Sequence, residues 1–247
     1  MTAFKFILAL IAVSTVSTAA TAQIAVDLSK HQIEITSGFD GAELLLFGYD
    51  TKGGEVVVIV RGPPETISVR EKERIAGIWI NQDQVTFKNA PSFYFVATTE
   101  GLRGDGTLEA ILESLSVGPR YLGMTPVDNN LTSERVNEFR EALITLREHD
   151  QLYAKEPGHV LMREDKLFRT QVPFPSSTPI GDYTVTVYEV IDGHPVLGTE
   201  APLLVRKAGF GAFVYNTAHD HPALYGIVAI LIALVAGWFG GWAFRKS

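Results

Sequence analysis

Residues Ala223 to Phe244, ALYGIVAILIALVAGWFGGWAF, form a run of 22 residues without a charge. As a helix rising 1.5 Å per residue this run is about 33 Å long, the hydrocarbon thickness of a bilayer. It is therefore read as a transmembrane helix, and the rest of the chain must fold outside the lipid. Arg245 and Lys246 follow it and Asp220 precedes it, so the positive-inside rule puts the C-terminus in the cytoplasm. At the other end, Lys5 is followed by the apolar FILALIAV and the small-residue stretch STAATAQ. That is the layout of a secretory signal cleaved after Ala22, with an apolar core too short to span. The expected layout is a signal peptide at 1–22, a transmembrane helix at 223–244 and a cytoplasmic tail at 245–247. The region from Gln23 to His221 is then periplasmic, on a single-pass protein of the bacterial inner membrane.

All 28 acidic residues fall in that outer region, whereas Lys5, Arg245 and Lys246 lie beyond it, so it is more acidic than the whole chain's net charge of −7. Nucleic acid is excluded as a partner. With no cysteine, disulfides, thiolate metal sites and a cysteine nucleophile are excluded too, and a packed core must supply stability. The sequon at Asn130-Leu131-Thr132 is read as incidental.

Short runs rich in Val, Ile, Phe and Tyr alternate with turn residues from Gln23 to Thr99, the spacing of sandwiches and barrels. AELLLFGY and EVVVIVRG are expected to form a hairpin through Thr51-Lys52-Gly53-Gly54, both strands buried on two faces. The polar TISVREKER, with Arg70, Lys72 and Arg74 among glutamates, is read as a solvated or edge strand in preference to a ligand patch. Leu108, Ile111, Leu112 and Leu115 suggest a short helix. Val136, Phe139, Leu143 and Leu146 share one stripe of a longer helix, from about Thr132 to Tyr153, capped by Thr132 or Ser133. Strands then return, with Asp192-Gly193 as a two-residue hairpin turn, and PIGDYTVTVY resembles the late strands of immunoglobulin-like sandwiches. The expected organisation is a β-sandwich region at 23–100, a helical segment at 101–157, a second β region at 158–210 and a juxtamembrane segment at 211–222. The fold class is mainly β: an immunoglobulin-like sandwich with an α-helical insertion, plus the membrane helix. One interrupted sandwich and two small domains both fit, and the second is preferred.

No phosphate-binding loop, nucleophile elbow, zinc-protease motif or dinucleotide fingerprint occurs, and GLRGDG reads as a loop. No catalytic residue and no cofactor are assigned, and the chain is not expected to be an enzyme. In the membrane helix Ala229, Ala233, Gly237 and Gly241 recur every four residues, a small-residue groove where another helix can approach closely, from a second copy or another protein. Trp238 and Trp242 suit the cytoplasmic interface. Just before the helix, in "HDHP", Pro222 suits a first helical turn and Asp220 can cap its free amides. His219, Asp220 and His221 are the only local candidate metal ligands, and no metal site is assigned from them.

KERIAGIWIN, VTFKNAPSFYFVAT, FREALITL, LFRT, GDYTV and FVYNTAHDHPALYG together resemble a family of alphaproteobacterial transmembrane proteins of about this length. The resemblance implies a Gram-negative periplasm and an inner-membrane anchor, transfers no catalytic residue, and associates such chains with sulfite-exporter-like permeases, a link that no residue here shows. The expected function is an accessory or assembly subunit of a membrane partner such as a transporter. The alternatives are a periplasmic small-ligand or metal-binding module, and an enzyme without a recognisable motif.

Overall fold

The structure, a computed structural model, describes residues 24–75, 78–103, 106–118, 120, 122–127, 132–164, 166–209, 214 and 217–244, with side chains left out at 72–75, 78–82 and 242–244. The signal-like segment, the Arg245-Lys246 tail, Asn130 and Leu131 lie outside the described residues, as do the side chains of Lys72, Arg74 and Trp242.

The first half of the chain contributes β1 (Ile24–Leu28), β2 (Gln32–Ile35), β3 (Gly41–Asp50), β4 (Glu55–Arg61), β5 (Pro64–Ile75), β6 (Ile78–Pro91) and β7 (Tyr94–Thr98). Helices α1 (Thr107–Ser114) and α2 (Ser133–His149) follow, with β8 (Thr125–Pro126) between them. Then come β9 (Gly158–His159), β10 (Leu161–Arg163), β11 (Leu167–Pro175), β12 (Gly181–Ile191), β13 (His194–Lys207) and the long helix α3 (Pro222–Phe244). The fold is mainly β, with one C-terminal helix long and apolar enough to span a membrane.

Two sheets carry most of it, in the orders β1-β3-β11-β10 and β2-β13-β12-β4-β7-β9, while β5, β6 and β8 form a third. Each large sheet contains strands from both halves of the chain, which corrects the preference for two small domains. The late strands complete sheets begun by the early ones, because four or so short strands cannot enclose a core alone. The two sheets meet through aromatic rings: Phe93 beside β7 stacks on Phe174 of β11, centroids 4.9 Å apart, and Tyr183 of β12 packs against both at 5.8 Å. Tyr183 also donates its hydroxyl to the Pro179 carbonyl at 2.6 Å, pinning the entry to β12.

The expected β3–β4 hairpin is absent. The two strands lie in different sheets, and the Thr51–Gly54 connection arches between them. Asp50 holds the arch: its carboxylate accepts hydrogen bonds from the amides of Lys52 (2.9 Å) and Gly54 (2.7 Å). Gly53, at φ +73°, supplies the positive φ that the turn needs. Burial on both faces holds for β4, whose residues Val56–Val60 are fully buried, but not for β3, which alternates and leaves Leu45, Phe47 and Tyr49 exposed. The Asp192-Gly193 hairpin does form, both residues at positive φ between β12 and β13.

The helices follow the sequence reading closely. Thr132 caps α2 by accepting the Arg135 amide at 3.4 Å, and Val136, Phe139, Leu143 and Ile144 are buried. Leu146, expected on the stripe, is 55% exposed. At 3.6 residues per turn the covered arc centres on Val136, Leu143 and Arg147 and leaves Leu146 at its margin. Arg147 pairs with Glu65, and Arg135 with Glu71, Asp83 and Glu138, so α2 is tied to the β5–β6 hairpin by charge. Arg70 is likewise engaged within the hairpin, by Gln84 at 2.7 Å.

Candidate functional site

Three places carry chemistry that packing alone does not explain. The first is the anchor. The apolar span Pro222–Gly241 has none of its surface buried by the rest of the chain, so lipid or another chain must cover it. On the small-residue face of Ala229, Ala233, Gly237 and Gly241, a β-carbon added at either glycine meets nothing within 4 Å, so no described residue fills that groove.

Ahead of the anchor, residues 217–220 already form a helical turn. The His221 amide donates to the Thr217 carbonyl and the Tyr225 amide to the His221 carbonyl, both at 3.0 Å. Asp220 thus sits inside a helical path that continues into α3, which corrects its expected role as the cap. The preceding turn supplies backbone acceptors, and Pro222 has no N–H to satisfy. His219, Asp220 and His221 are all exposed. Among the described residues no three His, Asp or Glu side chains stand together as a ligand set for a metal.

The second place is the solvent face of the β1-β3-β11-β10 sheet. Pairing sets Phe47 opposite Arg169, Tyr49 opposite Leu167 and Leu161 opposite Arg169, and directly paired residues share a face. Leu45, Phe47, Tyr49, Leu161 and Leu167 are each between 36% and 54% exposed, an apolar strip crossed by Arg169 on an otherwise acidic protein. Sequence reading missed it. The one usable signal lay in LFRTQVPF, whose alternation marks Phe168, Thr170, Val172 and Phe174 as inward and Leu167 as outward. Carrying that parity across to β3 requires the register.

The third place is a cleft of about 700 Å³ between the start of β3, the end of β11 and the segment after α2. Phe93, Tyr94, Phe95, Tyr153 and Phe174 line it, each at most 5% exposed. Burial raises the Tyr94 and Tyr153 hydroxyls well above the ordinary tyrosine range, so both stay neutral, and Tyr153 donates to the Pro91 carbonyl at 2.7 Å. At the far end of the sandwich lies a buried carboxyl: Glu189 is 2% exposed and its Oε1 has no hydrogen-bond partner among the described residues. Burial first, and then the charge of Asp50, raises its pKa above the ordinary 4.5, while Lys52 opposes the shift.

A β-sandwich joined to one exposed, membrane-length helix defines a membrane-anchored protein. The chain belongs to the family described as "Putative transmembrane protein (Alph_Pro_TM)", which matches residues 23–246. No functionally curated protein matches it. Among solved structures, the N-terminal domain of the Streptococcus gordonii adhesin Sgo0707 is similar at 7% identity, over 74% of this chain and 33% of that one, with a TM-score of 0.25. At that score the likeness carries no argument.

Proposed function

We propose that this protein is a non-enzymatic accessory or assembly subunit of an integral membrane partner, its sandwich in the periplasm and its C-terminus in the cytoplasm. The observation that carries the reading is the apolar strip of Leu45, Phe47 and Tyr49 with Leu161 and Leu167, on a domain that α3 confines beside the bilayer. Exposed apolar surface with aromatic residues is what protein interfaces bury. Tethering in the same membrane raises the effective concentration of the partner, so a modest strip suffices. The partner class is a transporter, with sulfite-exporter-like permeases as the first to test.

An immunoglobulin-type sandwich fits this role, since that architecture recurs in cell-surface modules. Its support here is the strand order of the two large sheets and the Tyr183 hydroxyl reaching back to Pro179, in the manner of a tyrosine corner. The lateral face of Ala229, Ala233, Gly237 and Gly241 supplies a second, weaker contact within the lipid.

Because the chain has no cysteine, one engineered thiol tests both docking and orientation. Phe47→Cys in the full chain is expected to react with a membrane-impermeant photocrosslinking maleimide in intact spheroplasts, and to give an adduct with an integral membrane protein on illumination. Ser247→Cys is expected to stay unlabelled until lysis. Labelling of Ser247→Cys in intact spheroplasts would reverse the topology. Adducts from Phe47→Cys no stronger than from a control thiol at the exposed Glu113 would remove the docking role.

A further inference from the structure

β4 is antiparallel to β12, and β12 to β13, so β4 and β13 run the same way and finish at the same end of the six-stranded sheet. β13 leaves that end for the anchor, whereas β4 leaves it for the β5–β6 hairpin. Pairing carries on through the junction. The Gly62 amide donates to the Phe93 carbonyl at 2.8 Å and the Ser92 amide to the Pro63 carbonyl at 2.9 Å, and Pro64 then pairs with Pro91. The β4–β7 pair and the β5–β6 hairpin thus form one ribbon, whose outer part from Pro64 to Ile75 spans about 35 Å at the rise of a strand.

Helix α2 braces this ribbon. Arg147 pairs with Glu65 near its base, and Arg135 with Glu71 and Asp83 further out. The helix advances about 18 Å between its two arginines and the strand about 20 Å between their partners, so the two run side by side. Val69, Val85 and Phe87 are buried along the braced part. By Arg70, Glu71, Asp83 and Gln84 the ribbon is exposed on both faces. Past that solvated stretch the sequence turns apolar again, with Ile75, Ile78, Trp79 and Ile80. The register puts Ile75, Ile78 and Ile80 on one face with Glu73, and Trp79 on the other with Lys72, Arg74 and Asn81.

We infer that this tip inserts into the interface of the bilayer that holds α3. A core does not account for four large apolar residues placed beyond a stretch that water reaches from both sides. The bilayer is always near, because residues 208–221, which join the sandwich to α3, span at most about 50 Å. Isoleucine gains by burial among acyl chains, tryptophan favours the headgroup level, and Lys72 and Arg74 beside it suit anionic headgroups. Insertion is intramolecular once α3 is anchored, so a small apolar tip suffices. It gives the sandwich a second point of attachment and fixes its orientation over the membrane, which a single tether leaves free. The inference needs only the anchor and not docking through Phe47.

The chain has three tryptophans, so Trp238→Phe/Trp242→Phe leaves Trp79 as the sole reporter. This full-length variant is placed, one copy per disc, in nanodiscs of phosphatidylcholine and phosphatidylglycerol with and without lipids brominated near the top of the acyl chains. Bromine quenches only tryptophan in close contact with lipid. Trp79 is expected to lose roughly half its emission to bromolipid, as an indole at headgroup level does, and Ile78→Asp/Ile80→Asp in the same background to lose almost none. Val196→Asp, on β13 near the opposite end of the sheet and 46% exposed, is expected to be quenched as the parent is. An unchanged thermal transition checks that both variants are folded. Emission untouched by bromolipid, or equal quenching in the Ile78→Asp/Ile80→Asp variant, would overturn the proposal. Emission untouched by bromolipid but shifted to the blue only when each disc holds two copies would place a second copy at the tip instead, and overturn it equally.

Discussion

In β4 every side chain from Val56 to Val60 is sealed from water, whereas in β3 burial switches on and off with each residue. The neighbours of the two strands account for the difference. β4 lies inside the six-stranded sheet between β12 and β7. One of its faces meets the opposing sheet, and the other, which carries Ile59 and shares its side with Tyr94, meets the residues that follow α2, through the Tyr94–Tyr153 contact. β3 has the opposing sheet on one face and, among the described residues, no cover over Phe47 and Tyr49 on the other. Two apolar strands in succession therefore do different work: one builds the core, and the other keeps half its apolar surface for something outside the fold.

The widest test of that contrast is an alanine scan of neighbouring positions. Ile59→Ala in β4 and Leu46→Ala in β3, both at residues with no exposure, are each expected to cost about 2–5 kcal/mol in denaturant melts of the detergent-solubilised full chain. Phe47→Ala, one residue along and 42% exposed, is expected to change stability by no more than about 0.5 kcal/mol. A comparable loss at Phe47 would mean that β3 is covered on both faces after all.

Gly48 sharpens the comparison within β3. It sits on the inward parity, where a β-carbon would come within 2.4 Å of the Phe168 ring and 2.5 Å of the Ala25 carbonyl. Gly48→Ala is expected to destabilise by about 1–3 kcal/mol through overpacking. A silent substitution there would show that the sheet opens easily along β3.

The smallest effect concerns Glu189, near the arch that joins the two strands. Because its pKa is raised, the folded state keeps the proton to a higher pH than the unfolded chain does. Stability is therefore complete below the ordinary carboxylate value of 4.5 and falls as pH climbs through the raised value. Glu189→Gln is expected to match the parent near pH 4 and to exceed it by about 1 kcal/mol near pH 8, the low end for a buried group without a partner. An advantage independent of pH would assign the effect to packing at the arch.

Much of this architecture was legible in residue order. The Asp192-Gly193 turn, the Thr132 cap and the uncharged run before Arg245 are local signals, each complete within a few residues or one helix. What stayed hidden depends on pairing over distance. AELLLFGY carries Leu, Phe and Tyr on one parity and Leu, Leu and Gly on the other, so hydrophobicity alone favours burying the wrong side. Only Phe168, filling the space that Gly48 leaves, sets the parity. The cleft was equally invisible, because Asp40, Glu148 and Glu156 come together only once α2 has packed.

The parallel pairing of β2 with β13 also bears on how the molecule carries load. Tension from the anchor enters at Lys207 and runs along β13, which is bonded to β12 on one side and to β2, from Gln32 to Ile35, on the other. Pulling on that end slides the strand past two neighbours at once, so the hydrogen bonds resist together in shear and do not open one by one like a zipper. The strand that takes the anchor's load is thereby the hardest to peel away.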